Sequence, residues 1–252
     1  IDDELRTRQT SALLRHGPSP LMPGSWAEAV SAAVQLARGI AADVRERWVG
    51  PSGETLPGRL PEVALYLALA LGLLVFARGW VEALPRRMSE RASDYARDAV
   101  GFAASLGQIA IPTAGAYLLV RALDATGLAG PWARPILMAL PVAALILFGG
   151  RWLARRLFPA SGDPPVCFPE PMRLRGRLYG TGLALALALH HVAARALLPL
   201  SGTRGGGPQD SRIPLEIDPG AAAVFHLPLV VMGAVMLFRL GDILRRAREF
   251  TN

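Results

Sequence analysis

Apolar positions along this chain gather into five long blocks separated by short, arginine-bearing segments. A bilayer core needs about 20 mostly apolar helical residues to span it. The first block, Leu60–Val81, has a charge-free centre from Val63 to Ala77, and the second, Ala99–Val120, has no charge at all. The third, Pro135–Gly150, is the shortest and must borrow Trp152 and Leu153 or tilt less to cross. The fourth, Leu178–Ala194, alternates Leu with Ala as a strand would, but its length and its alanines favour a helix. The fifth is Pro219–Phe238. The expected fold is therefore all-α: a polytopic transmembrane helix bundle of about five spans over residues 58–238.

Residues 1–57 read differently, as an extracytoplasmic helical segment. A polar helix is expected to run to Arg15 or His16 and to stop at Gly17-Pro18. Ser25 and Glu28 have capping-box spacing and should start a second helix. Its apolar positions Trp26, Val30, Val34, Ala37, Ala41, Val44 and Trp48 fall on one face, while Asp43, Arg45, Glu46 and Arg47 keep it out of the bilayer core. Such a helix packs on a neighbouring domain or on the membrane surface. Residues 239–252 carry Leu240, Ile243, Leu244, Ala247 and Phe250 opposite an arginine face, which predicts a basic amphipathic helix. The chain opens at Ile1 and its last residues interrupt a helical pattern, so it reads as a fragment or processed product.

Composition sharpens this picture. Hydrophobic residues make up 52% of the chain and charged residues 19%. The formal charge of +7 comes from arginine alone, since there is no lysine. Those arginines flank the apolar blocks rather than forming a basic face on a soluble fold, which argues against nucleic acid. Counting Arg78 at the end of the first block, the successive inter-block segments and the tail after the last block hold five, two, six, three and four arginines. Positive residues favour the cytoplasmic side, so the alternation predicts the N-terminus outside and the C-terminus inside. Trp80, Trp152 and Tyr179 then mark inner ends, and Tyr117 and Trp132 outer ends.

Candidate chemistry is sparse. One cysteine, Cys167, rules out an internal disulfide framework and multi-cysteine metal sites. No phosphate loop, nucleophile elbow, zinc-protease motif or dinucleotide fingerprint is present, so no catalytic residue, metal or cofactor is expected. The costly residues are the intramembrane histidines His190, His191 and His226. If the fourth and fifth blocks form a hairpin, His190 or His191 faces His226 at similar depth, either as an interhelical hydrogen bond or as a proton, metal or haem site. Gln108 precedes Pro112 by four residues, where a proline can kink a helix. Gly101 and Gly107 lie in the same block, and Pro228 repeats the ambiguity in the fifth. Ala99, Ala103 and Gly107, like Gly180, Ala184 and Ala188, have the four-residue spacing of a small-residue packing face.

The run Leu13-Leu14-Arg15-His16-Gly17-Pro18, followed by Ser19-Pro20-Leu21-Met22-Pro23-Gly24-Ser25-Trp26, resembles the region before the membrane helices in large bacterial MscS-like mechanosensitive channels. The Ser93–Arg97 run fits the same family more weakly. The resemblance implies a multi-pass protein of the bacterial inner membrane. It would be a homo-oligomer, usually a heptamer, that opens under tension and relieves osmotic shock, with peripheral helices contacting lipid. That family's pore helix has regularly spaced Gly and Ala and leads into a β-rich vestibule. Gly233 and Ala234 do not make that repeat, so no pore residue is carried over. Two other readings stay open: an accessory or scaffold subunit of a membrane complex, and a small transporter or haem-binding membrane protein using the histidines.

Overall fold

The computed structural model describes residues 20–76, 97–159, 169–196, 213–215, 217 and 219–250. Among them it is helical, with no strand. The expected polar helix before Gly17, like Trp80 and Cys167, lies outside the described residues. Helix α1 is Pro23–Val49 and α2 is Pro51–Leu71, continued by a π-helical turn at Gly72–Phe76. Then come α3 (Arg97–Ser105), α4 (Gly107–Ala125), α5 (Arg134–Leu157), α6 (Glu170–Ala196) and α7 (Pro219–Phe250).

Four stretches are long and apolar enough to cross a membrane: Gly53–Val75, Gly101–Ala125, Arg134–Leu157 and Gly220–Arg246. The chain is a multi-pass helical membrane protein. The short third block gains its length because α5 runs on through Arg151 to Leu157, as its borrowed residues required. Helix α6 falls outside this set, although it is 27 residues long and packs between α5 and α7.

The helices form a row. Helix α2 packs on α4, α4 on α5, α5 on α6 and α6 on α7, while α1 touches both α2 and α7. Helix α6 shows how the sequence encodes two neighbours on opposite sides. Gly180 and Ala184 meet α5, where a Cβ on Gly180 would lie 2.7 Å from the Ala154 Cβ and Ala184 sits against Gly150. Ala186 lies near Gly233 of α7, and Gly182 faces Met236. Successive residues turn about 100°, so Ala184 and Ala188 point one way and Ala186 points nearly opposite. Leu185, Leu187 and Leu189 fill the two sides between and stay exposed. Leu-Ala alternation is thus a helix with two small-residue seams, and the resemblance to a strand pattern is accidental. Close backbone approach replaces the hydrophobic drive that lipid removes. Accordingly, no large side chain among the described residues is fully buried, and the core is mostly alanine.

Several local expectations are corrected. Helix α1 starts at Pro23, with proline in the first turn, so Ser25 lies inside the helix and no side chain caps it. Ser25 is buried, as are Ala29 and Ala32, whereas the Trp26–Trp48 stripe is exposed. The small face, not the apolar one, meets the bundle. Between α3 and α4 the helical ladder skips at Leu106, whose N–H bonds the Ala103 carbonyl at 3.1 Å while its backbone stays helical, and Pro112 lies within α4. Ala99 and Ala103 are exposed, so Ala104 and Ser105, not the expected Ala99-Ala103-Gly107 set, make the packing side there. Residues 239–250 are no separate helix, because α7 continues unbroken to Phe250. Ile243 is buried against Phe158, with Met172, Tyr179 and Leu240 around them.

Candidate functional site

Polar clusters gather at both ends of the helices. At the end where α6 finishes and α7 begins, His190 and His226 face each other. Their Nδ1 atoms are 2.9 Å apart and their rings cross edge to face at 71°. The hairpin geometry brings them together as their spacing from the shared connector predicted. His191 is one residue and about 100° further round α6, and takes no part in the contact. One Nδ1 must donate and the other accept. The His226 Nε2 is buried with no hydrogen-bond partner. An orphaned buried N–H is rarer than an orphaned acceptor, so the proton of His226 belongs on Nδ1, donated to the Nδ1 of His190. No group of three or more His, Cys, Asp or Glu suited to a metal occurs among the described residues. The pair provides a hydrogen bond between α6 and α7 and a place where a proton could shift.

The same end carries a second constellation, built by α1 and the α4–α5 connection. Gly127 turns the chain with φ 70°, and Thr126 donates to the Leu123 carbonyl at 2.6 Å while accepting from the Leu128 N–H at 3.2 Å. Into this turn reaches α1. Asp43 Oδ2 accepts the Trp132 N–H at 2.9 Å, and Arg47 donates to the Gly127 carbonyl at 3.3 Å. Gly39 lies directly beneath the Trp132 indole, where a Cβ has no room. Asp124 pairs with Arg121 and Arg134, 3.5 and 3.6 Å away. Further along α1, Ala29 packs with Ala221 and Val224 at the start of α7. These contacts were missed from sequence because Gly39 and Asp43 interrupt no pattern that marks a buried face.

The opposite end is arginine-rich and is pinned by Ser105. Its hydroxyl donates to the Phe102 carbonyl at 2.6 Å and accepts from Trp152 Nε1 at 3.1 Å and Arg156 NH2 at 3.0 Å. One donor and two lone pairs are all used. The Arg156 guanidinium also lies over the Phe102 and Trp152 rings, 5.4 and 5.9 Å from their centroids. The bond back to Phe102 competes with the helical ladder, which accounts for the break at Leu106. Asp242 pairs with Arg245 at 2.8 Å and Arg246 at 2.9 Å. The Nε atoms of Arg173 and Arg177, a turn apart on α6, are buried without a hydrogen-bond partner.

The expected hinge and packing positions divide. Gly180 is a contact point with α5. Gly107 opens α4 directly after the break, and Gly101 lies within α3. Gln108 and Pro112 are half-buried in α4, with the unpartnered buried hydroxyl of Thr113 beside them. Pro228 is exposed within α7.

Residues 1–46, which include most of α1, match a family described as protein of unknown function DUF3772. No curated protein and no solved structure matches the chain.

Proposed function

We propose that this chain is the peripheral, tension-sensing transmembrane region of an MscS-like mechanosensitive ion channel in a bacterial inner membrane. The observation that carries the reading is the row itself. Each membrane helix packs on its chain neighbours, so exposed apolar side chains such as Leu145, Leu187 and Val231 leave much of the row open to lipid. A helix layer wetted by lipid along its flanks feels lateral tension over more perimeter than a compact bundle of the same length. Its small-residue seams permit sliding of one helix on the next, a shear response that packed helices commonly use.

In this reading α6 is the fifth span. It is sandwiched between two membrane-capable helices, and its lower hydropathy comes from its histidines and its arginine-bearing start. The end carrying Arg151, Arg155, Arg156, Arg173, Arg175, Arg177, Arg239, Arg245 and Arg246 is cytoplasmic by the positive-inside rule. The α1 end is then extracytoplasmic. The chain supplies the sensing surface of a homo-oligomer, and the ion path lies elsewhere in the assembly. The test is patch-clamp recording of the full-length gene product in a host without its own tension-gated channels. Tension-activated current is expected, and silence up to lytic tension sinks the reading.

A further inference from the structure

Helix α1 divides into three sectors of about 120° each, given about 100° per residue. The first sector, Ser25, Ala29, Ala32, Leu36, Gly39, Asp43 and Arg47, faces the bundle through the contacts with Ala221, Trp132 and Gly127. The second, Glu28, Ser31, Gln35, Arg38, Arg45 and Glu46, is polar and exposed. The third is the stripe Trp26, Val30, Val34, Ala37, Ala41, Val44 and Trp48, also exposed, with Val30 at 62% and Trp48 at 60%.

We infer that the third sector is seated in phospholipid, with α1 lying in the headgroup–acyl boundary at the extracytoplasmic rim of the row. Depth is the first argument. The first sector is bonded to the turn that joins two membrane-capable helices and packs on the beginning of a third, so α1 is held where spans leave the bilayer core. Orientation is the second. With one sector turned to the bundle, the remaining two face different media, one polar and one apolar, as at a lipid–water boundary. Exposed Leu21 and Met22 lie just before the helix and add apolar surface at its start. Composition is the third argument. Tryptophan stands at both ends of the stripe, and indole favours the headgroup level. The Trp26 N–H is already satisfied by the Pro20 carbonyl at 2.8 Å, so its ring enters the boundary without an orphaned donor. Because α1 bridges α2 and α7, the first and last helices of the row, a lipid-seated α1 also reads membrane depth at both. The lipid seating rests on the membrane assignment and its extracytoplasmic side on the topology proposed above; neither depends on tension sensing.

The test is site-directed spin labelling of the whole chain in phosphatidylethanolamine–phosphatidylglycerol bilayers, with Cys167→Ser and a single cysteine at position 30, 44 or 35. Labels at 30 and 44 should collide with oxygen more than with a water-soluble nickel chelate, with the ratio inverted at 35. Equal nickel access at 30 and 35 overturns the proposal. So does spin–spin broadening at 30 that is lost on dilution with unlabelled chain, since a second copy would then cover the stripe. The unmodified protein gives an independent readout with diazirine-bearing phosphatidylglycerol. Crosslinks on stripe residues between 26 and 48 support lipid seating, and crosslinks confined to α2 and α4–α7 overturn it.

Discussion

Asp43 of α1 accepts the backbone N–H of Trp132 at 2.9 Å across 89 residues of sequence. The contact anchors a surface helix to the turn between two membrane helices, beside the Gly39 backbone and the Trp132 indole. Asp43→Ala leaves that N–H without its acceptor at a cost of about 1–3 kcal/mol. Amide exchange over residues 35–47 should accelerate, and Asp43→Asn, which keeps an oxygen acceptor, should recover most of the protection. Unchanged exchange in Asp43→Ala would remove Asp43 as the anchor.

Ser105 is the corresponding pin at the arginine end. Ser105→Ala strands two donors, Trp152 Nε1 and an Arg156 nitrogen, for about 1–3 kcal/mol in total if neighbouring water recovers part of the loss. Thermal unfolding in detergent should show a lower midpoint than Trp152→Phe, which strands no buried donor. Equal midpoints for the two variants would contradict the hub arrangement.

The two seams of α6 make a paired prediction. Ala184→Leu places a bulky side chain against Gly150 and should cost about 1–3 kcal/mol by overpacking. Leu187→Ala removes more atoms, but from an exposed position, and should change little. The comparison is made by unfolding in mixed micelles. If Leu187→Ala is the more damaging change, the row is packed on the wrong faces.

For the histidine pair the energy scale is small. Interhelical hydrogen bonds within membranes average about 0.6 kcal/mol, so His226→Phe, which keeps an aromatic edge against His190, should barely move the unfolding midpoint. The tautomers give the sharper check. Nitrogen-15 NMR of selectively labelled histidine should show His226 protonated at Nδ1 and bare at Nε2. The reverse assignment would contradict the hydrogen-bond accounting.

What could be read in advance followed physical periodicity. Long charge-free blocks impose helices, and the equal spacing of His190 and His226 from their shared connector put them at one depth. The Gly180-Ala184 seam was legible because close helix approach leaves only small side chains. The orientation of α1 was not. Its apolar stripe left two placements open, a neighbouring domain or the membrane surface, and the structure packs the small face on the bundle and leaves the stripe exposed. The break at Leu106 was hidden as well. No sequence pattern marks it, because it depends on Ser105 bonding Phe102 nearby and Trp152 and Arg156 about fifty residues later.

The row has a consequence for how the protein is made. Helices that touch mainly their chain neighbours can be added in order as they leave the ribosome, each docking on one already inserted, with short sequence separations favouring speed. Helix α1 is the exception. It is synthesised before its partners at Gly127, Trp132 and Ala221, which emerge much later. During that interval its lipid-seeking stripe can hold it at the bilayer surface, a waiting berth until α7 docks on it.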